Sequence, residues 1–292
     1  MTSSDLNDDR TPAPPRSLMA AIGRFFSILW VFPRDLPHLG LVTSYRLMRA
    51  DIECLLRQVF QPGRAEQAPT KLVSLPIPGY SHRVYFRRNT SDRYVVRQIF
   101  RDREYDCLGH EGSIRFIVDG GATIGAASFY LLAKSPDARA IVVETDESNL
   151  EVCRRNLGPF NDRIEIIPVP LGAESSHSHA NGVTKVTKGE AETECLRTVE
   201  PSHISLNDLF DRIAEPMVDL VKLDAPCAER QFRAESSLRW LERTKNLVIE
   251  SISSDQLDSF RSALMPFAYR ETKHGSLTVF QDIVKRCRSS LK

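Results

Sequence analysis

From residue 114 to about residue 265, short apolar runs alternate with segments whose apolar residues recur at helical spacing. The runs predict strands at 114–118, 140–144, 163–167, 218–223 and 246–252. The segments between them predict helices at about 124–135, 147–157, 205–213, 228–241 and 254–265. Near-continuous apolar strands separated by helices are typical of a mainly parallel sheet covered on both faces. The predicted fold class is therefore α/β, with a Rossmann-like sheet.

The C-terminal part of this region has a different pattern. Residues 267–280 contain two runs of alternating polar and apolar positions on either side of His274 and Gly275. This pattern predicts a hairpin, and hence an antiparallel edge to the sheet. Residues 174–200 are rich in Ser, Thr, Lys, Glu and Gly, and we predict no regular structure for this long polar insertion.

Upstream of the alternating region, two further elements are expected. Residues 81–86 have the composition of a strand. Residues 94–105 place apolar side chains at helical spacing, and Ser91 or Asp92 is the candidate N-cap of that helix.

An unusually apolar segment, residues 18–32, follows a polar, proline-rich start. At about 1.5 Å per residue a helix over this segment would reach roughly 22 Å, which is short of the hydrocarbon core of about 30 Å. We expect Pro33 and Pro37 to end it, and a second helix to run from about residue 42 to residue 60.

Two hypotheses for residues 18–32 remain open. The segment either docks on the domain or on a dimer partner, or it anchors the protein at a membrane surface, with Trp30 and the phenylalanines at the headgroups. The predicted division of the chain is a disordered tail (1–17), a helical and apolar extension (18–80), the main domain (81–283) and a basic tail (284–292).

Composition excludes some classes of partner. The chain has 292 residues, and 39 Lys and Arg against 38 Asp and Glu give a net charge of +1. No overall field would attract a nucleic acid or an anionic membrane, and we expect no nucleic acid as partner. The six cysteines form no C-x-x-C pair, and we expect reduced thiols in a cytoplasmic protein. His177 and His179 have no further ligand at metal spacing, and no metal site is predicted.

The first predicted strand runs into a glycine-rich turn, FIVDGGATIG, at residues 116–125. Gly120 and Gly121 would let a ligand approach the backbone, and Gly125 would let the following helix pack close to the sheet. Asp119 supplies a negative charge at the strand end. Glu144 ends the next strand, where a carboxylate can accept hydrogen bonds from both hydroxyls of a ribose.

The spacing of the glycines argues against a dinucleotide. A dinucleotide site has G-x-G-x-x-G after the strand, whereas this chain has G-G-x-x-x-G. A carboxylate at the strand end suits a ligand with an amino group better than one with phosphates. S-adenosylmethionine has an amino group, a ribose and a sulfonium, and is the expected cofactor.

Five segments, VDGGATIG, IVVETDESNLEVCRRNL, SLNDL, VDLVKLDAPCAE and NLVIESI, together resemble the FkbM-type S-adenosylmethionine-dependent methyltransferases over about residues 84–280. The resemblance implies the seven-stranded methyltransferase fold, strand order 3-2-1-4-5-7-6. It also implies methyl transfer to a hydroxyl of a sugar, glycan or secondary metabolite. The assigned cofactor-binding residues are Asp119, Gly120, Gly121, Ala122, Thr123, Ile124, Gly125, Glu144, Thr145 and Asp146.

We assign the acceptor side to three carboxylates. Asp224, at the tip of the fourth strand, is the candidate proton acceptor, and its alternative is a cap of the next helix. Glu250 and Glu104 are the candidates for acceptor binding, or else ordinary charge partners.

The chain departs from the family pattern at several positions. Thr123 stands where the family usually has Asn, and a β-branched residue tolerates left-handed backbone less well. Pro226 and Cys227 replace a Glu and a Gly, and the fifth strand lacks the usual histidine after Ser251. The alternative function is therefore a diverged member that binds the cofactor or a partner without turnover.

Overall fold

A computed structural model describes residues 15, 17–60, 71–109, 114–172, 203–233 and 238–286. The insertion predicted at 174–200 and most of both predicted tails lie outside these residues. The helices are α1 (Leu18–Phe60), α2 (Asp92–Val96), α3 (Ala126–Lys134), α4 (Glu147–Leu157), α5 (Leu206–Arg212), α6 (Ala225–Arg233) and α7 (Ser254–Ala263). The strands are β1 (Leu72–Pro76), β2 (Arg83–Arg87), β3 (Phe116–Gly120), β4 (Arg139–Val143), β5 (Ile164–Ile167), β6 (Val218–Asp224), β7 (Thr244–Glu250), β8 (Phe267–His274) and β9 (Leu277–Lys285).

The main sheet has seven strands in the order β5-β4-β3-β6-β7-β9-β8. The five strands from β3 to β7 pair in parallel, whereas β9 runs antiparallel to both β7 and β8. Numbered within the sheet, this is the order 3-2-1-4-5-7-6 with a reversed last strand. The predicted fold class, the strand order and the C-terminal hairpin are confirmed.

Apolar side chains cover both faces of the sheet, because successive residues of a strand point to opposite sides. All five residues of β3 are buried. Ile117 joins a core with Phe129 of α3 on one face, and Val118 joins a second core with Phe210 of α5 on the other. The two cores lie on opposite faces of the sheet, and β3 at its centre contributes residues to both.

Two predicted helices differ from the observed ones. The helix expected at 228–241 begins directly after β6, as α6, and a separate 3₁₀ turn covers Arg239–Arg243. The early start has a local cause, because the Asp224 carboxylate accepts a hydrogen bond from the Cys227 N–H and caps the helix.

The helix expected at 94–105 is interrupted. It begins as α2, continues as a π-helical turn over Arg97–Arg101 and ends in a 3₁₀ turn over Glu104–Leu108. The break falls at Arg103, whose φ of 52° is left-handed. A helix cannot continue through such a residue, so the 3₁₀ turn leaves in a new direction.

The N-terminal region forms a helical hairpin. The prediction that Pro33 and Pro37 end the apolar helix is wrong, because both lie inside α1. The break comes at Gly40 (φ 70°, ψ 166°), where a side chain would lie 3.2 Å from Pro78 Cγ. The two arms, residues 18–39 and 41–60, run back along each other, since Arg24 Nη1 donates to Gln58 Oε1 across 3.1 Å.

Buried ion pairs hold this hairpin on the domain. Asp35 pairs with Arg97 and Arg101, and Asp51 pairs with Arg93 and Arg97, at 2.6 to 3.0 Å. The strand β1, inside the predicted extension 18–80, pairs with β2 beside it.

Among the described residues, no helix is both long enough and apolar enough to cross a membrane.

Candidate functional site at the glycine turn

The turn between β3 and α3 lies where the strand order reverses. The chain continues from β3 to β4 on one side, and β6 pairs with β3 on the other. In open parallel sheets this crevice at the carboxyl ends of the strands is where ligands bind. The glycine turn therefore lies at the position in the sheet where ligands commonly bind.

Hydrogen bonds from neighbouring strands fix the backbone of the turn. The N–H groups of Gly121 and Ala122 donate to Val143 O at 2.9 and 3.2 Å. Gly121 has a φ of 74°, and Thr123 has a φ of 53°. A β-branched residue in the left-handed region costs about 1–2 kcal/mol. Thr123 is held there because its N–H donates to Glu144 Oε2 across 2.7 Å.

Glu144 receives most of its hydrogen bonds from backbone. Besides Thr123, the N–H groups of Thr145 and Asp146 donate to its Oε1 at 2.8 and 2.9 Å. A carboxylate has about four acceptor positions, so three backbone donors leave room for roughly one more. The side chain is 7% exposed. Glu144 can therefore accept a ribose hydroxyl while it shapes the turn.

Asp119 lies beneath the turn. It is 1% exposed, and Ser128 Oγ donates to its Oδ2 at 2.6 Å. Lys222 Nζ lies 3.1 Å from its Oδ1 and donates to Gly121 O at 2.7 Å. The carboxylate of Asp119 therefore does not reach the surface, and it supports the turn from below.

Lys222 also joins Glu250 to this group. Its Nζ lies 3.2 Å from Glu250 Oε2, and Tyr105 Oη donates to Glu250 Oε1 at 2.7 Å. Burial opposes the ammonium, but the carboxylates of Asp119 and Glu250 outweigh it and raise the pKa of Lys222. Burial, together with Glu250, raises the pKa of the Tyr105 phenol well above its usual value. Tyr105 thus stays a hydrogen-bond donor.

Asp224 lies directly against the turn. A Cβ on Gly121 would fall 2.2 Å from Asp224 Oδ2, so only glycine leaves room for this carboxylate. Its Oδ1 accepts from the Cys227 N–H at 2.8 Å and caps α6. The carboxylates of Asp119, Asp224 and Glu250 lie around the ammonium of Lys222, and all three raise its pKa. Three carboxylates therefore converge on one lysine beneath the turn.

Glu104 connects the site to the C-terminal hairpin. Ser276 donates to its Oε2 from Oγ at 2.8 Å and from the backbone N–H at 3.4 Å. Burial raises the pKa of Glu104, although the two bonds from Ser276 oppose the rise. Glu250, the other carboxylate proposed to bind the acceptor, lies close enough to add to the rise in the pKa of Glu104.

The assigned cofactor residues divide by accessibility. Asp119, Gly120, Ala122, Ile124, Gly125 and Glu144 are buried, Gly121 and Thr123 are partly exposed, and Thr145 and Asp146 are exposed. Gly125 packs on α4, where a Cβ would lie 2.9 Å from Cys153 Sγ. Gly121, Thr123, Thr145, Asp146 and the partly exposed Asp224 thus form the accessible surface, and the buried residues support it.

The substituted residues after β6 fit the local structure. Pro226 is in the first turn of α6, where no intrahelical N–H is required. Cys227 packs in the core, and burial together with Asp224 raises the pKa of its thiol well above the usual value. Within the described residues, no group of three or more His, Cys, Asp or Glu could hold a metal ion.

Sequence reasoning missed Lys222 and Tyr105. A signal for Lys222 was present, because it is a charged residue inside a predicted apolar strand. In the predicted order that strand lies next to the first, and Lys222 is opposite Asp119 in the observed register. Tyr105 carried no comparable signal, since its contact with Glu250 spans 145 residues.

Comparisons with known proteins give limited support. No family model matches the chain. Methyltransferase sdnD from Sordaria araneosa is 36% identical over 72 residues, which is 25% of this chain and 27% of that protein. The chain thus spans about a quarter of the length of this curated relative.

Several solved structures of methyltransferases show some similarity to the chain. They include a precorrin-6y C5,15-methyltransferase from Geobacter metallireducens (12% identical, TM-score 0.38, 64% of this chain and 89% of that one). TrmK from M. capricolum, in complex with S-adenosyl-homocysteine, is 10% identical with a TM-score of 0.37, over 64% and 70% of the two chains. The METTL16 methyltransferase domain is 13% identical with a TM-score of 0.40, over 88% and 91%. These similarities are too weak to support a function, and the fold rests on the strand order itself.

Proposed function

We propose that the protein is an S-adenosylmethionine-dependent methyltransferase that acts on a hydroxyl of a sugar, glycan or secondary metabolite. The observation that carries the proposal is the convergence of three carboxylates on one lysine beneath a left-handed glycine at the switch point of the sheet. Carboxylates at a binding site favour a cationic ligand, and S-adenosylmethionine has both an ammonium and a sulfonium. The matched region of methyltransferase sdnD is in keeping with it.

Each group has a proposed role. Glu144 accepts a ribose hydroxyl with its remaining acceptor position, and Gly121 to Gly125 provide the adjoining backbone surface. Thr145 and Asp146, exposed after β4, border the nucleoside. Asp119 and Lys222 keep the turn in place from below.

The chemistry places modest demands on the chain. When bound, the cofactor supplies an electrophilic methyl group on sulfur. The protein aligns the acceptor hydroxyl with that methyl group, excludes water and takes up a proton. We assign the proton to Asp224 Oδ2, because Oδ1 already caps α6. Glu250 and Glu104 line the acceptor side.

A second candidate is binding without turnover. This candidate is favoured because the carboxylates already have partners in the structure. Glu250 accepts a hydrogen bond from Tyr105 and lies against Lys222, and Asp224 accepts one from the Cys227 N–H. In that case the protein binds the cofactor but lacks an available base. Only a measurement of turnover separates the two candidates.

Calorimetric titration of the full chain with S-adenosylmethionine tests the cofactor first. Gly121→Ala should weaken binding roughly tenfold or more, about 1.4 kcal/mol, because its Cβ would displace the Asp224 carboxylate. Gly23→Ala is the matched control, since its Cβ would have nothing within 4 Å, and its affinity should match the wild type. A wild-type protein that is folded but does not bind would refute the proposal.

Where binding is found, transfer of a labelled methyl group to glycans, lipid-linked sugars and RNA tests the reaction. Asp224→Asn should lower turnover far more than affinity. Transfer to RNA and not to any hydroxyl-bearing small molecule would overturn the proposed acceptor class. Binding with no transfer to any acceptor would favour the second candidate.

A further inference from the structure

The first arm of the helical hairpin is amphipathic in an unusual sense. Its acidic residue, Asp35, is fully buried against Arg97 and Arg101 of the domain. Seven of its large apolar residues are exposed instead. We define the outer apolar face as Leu18, Met19, Ile22, Phe25, Phe26, Leu29 and Trp30, which are all exposed.

The outer apolar face is presented by a firmly attached helix. Buried ion pairs hold both arms of the hairpin, through Asp35 on the first arm and Asp51 on the second. Arg24 Nη1 donates to Gln58 Oε1 between the arms. Phe26 (64%) and Trp30 (68%) are therefore exposed while the helix is packed on the domain.

An exposed apolar surface of this kind needs an apolar partner. Contiguous apolar patches rimmed by polar residues mark protein or membrane interaction sites. From Leu18 to Trp30 the face is about 18 Å long at 1.5 Å per residue, which suits insertion along a membrane surface rather than across it.

The charged side chains beside the outer apolar face indicate which kind of partner it binds. Between residues 18 and 39 the charged side chains are Arg24, Arg34 and Asp35, and the single acid among them is turned into the domain. Arg34 is exposed and lies over the Trp30 ring, 5.8 Å from its centroid. An aromatic ring beside a cation at the end of an apolar stripe matches the headgroup level of a bilayer.

From these observations we infer that the outer apolar face docks on an anionic lipid surface. The seven apolar residues enter the boundary between headgroups and acyl chains, and Arg34 contacts the lipid phosphates. The inference is independent of the proposed methyl transfer, because it concerns a different face of the molecule and a different ligand.

Sedimentation of the full chain with phosphatidylcholine vesicles, with and without phosphatidylglycerol, tests the inference. The protein should pellet with the anionic vesicles, and salt should weaken binding because it screens Arg34. Phe26→Ser/Trp30→Ser should lower partitioning roughly tenfold or more, since two large side chains no longer leave water. Met265→Ser/Val284→Ser is the matched control, as both residues are exposed elsewhere, and it should bind like the wild type.

A spectroscopic measurement avoids dependence on the variants. The chain has two tryptophans, and Trp240 is 2% exposed in the core. A blue shift of emission on adding anionic vesicles would therefore report Trp30 entering the bilayer. If neither pelleting nor a shift occurs, the inference fails. A dimer in light scattering that the Phe26→Ser/Trp30→Ser variant dissociates would instead assign the face to a second copy.

Discussion

Two clusters of buried charge differ in their balance. Beneath the helical hairpin, the carboxylates of Asp35, Asp51 and the more exposed Asp102 face the guanidinium groups of Arg93, Arg97 and Arg101. Beneath the glycine turn, one ammonium faces three carboxylates. The first cluster has one guanidinium for each carboxylate, whereas in the second three carboxylates share one ammonium.

The difference separates attachment from recognition. A buried ion pair whose partners are balanced fixes the geometry of two elements and gives a ligand no electrostatic role. A cluster with excess negative charge is stabilised when a cation binds nearby, because that cation supplies the missing charge. We therefore expect changes in the first cluster to affect stability alone, and changes in the second to affect both stability and ligand binding.

The largest effect is expected from Lys222→Met. The change takes the Lys222 ammonium away from the buried Asp119 and the partly buried Glu250, and losing one partner of a buried pair costs about 3–5 kcal/mol. We expect the upper end of that range in urea unfolding at pH 8. Without the lysine, repulsion between neighbouring carboxylates is reduced when one of them takes up a proton. The loss of stability in Lys222→Met should therefore be smaller at pH 5 than at pH 8.

Should Lys222→Met fail to fold, a second variant keeps the test informative. Adding Glu250→Gln removes one of the two stranded charges and should recover part of the lost stability. A deficit that is the same at both pH values, and unchanged by Glu250→Gln, would mean that Lys222 acts through packing and not through charge.

A smaller effect is expected from Asp35→Asn in the balanced cluster. The loss should be about 3 kcal/mol, the lower end of the range for buried pairs, because Arg97 retains Asp51 and Arg101 retains Asp102. Urea unfolding measures it, and titration with S-adenosylmethionine should give the wild-type affinity for the folded variant. Asp211→Asn, in an exposed pair with Arg239, is the control and should change little.

Affinity that falls together with stability in Asp35→Asn would contradict the comparison. The two clusters would then be coupled through the domain, and the hairpin would be part of the ligand site. Unchanged affinity would confine ligand recognition to the unbalanced cluster.

The sequence predicted the sheet well because its signals are local. Apolar runs such as 218–223 and the alternation around His274 depend on neighbouring residues, and the observed strands are within about two residues of the predicted ones. The glycine turn was also predictable from local sequence, because Gly121 has a positive φ that glycine adopts readily. Local chemistry thus determined most of the fold.

Distant contacts explain what the sequence did not predict. Pro33 and Pro37 lowered the expected length of the first helix, but packing on the domain keeps α1 helical through both, and Gly40 makes the turn. The ion pairs of Asp35 join residues more than sixty positions apart. No periodicity encodes such a pairing, and the same is true of Tyr105 with Glu250.

The smallest effect is expected from Glu104→Gln, at the edge of the unbalanced cluster. Burial raises the pKa of Glu104 in the folded state, so this group favours folding when protonated, and its contribution is lost as pH rises through the folded pKa. The glutamine of the variant cannot titrate but still offers Ser276 an oxygen acceptor. The stability of the variant relative to wild type should therefore improve from pH 4 to pH 7, measured as the urea midpoint at each pH. A difference in stability that stays constant with pH would indicate that Glu104 ionises as it does in the unfolded chain. The negative charge around Glu250 would then not extend to Glu104 and the C-terminal β-hairpin.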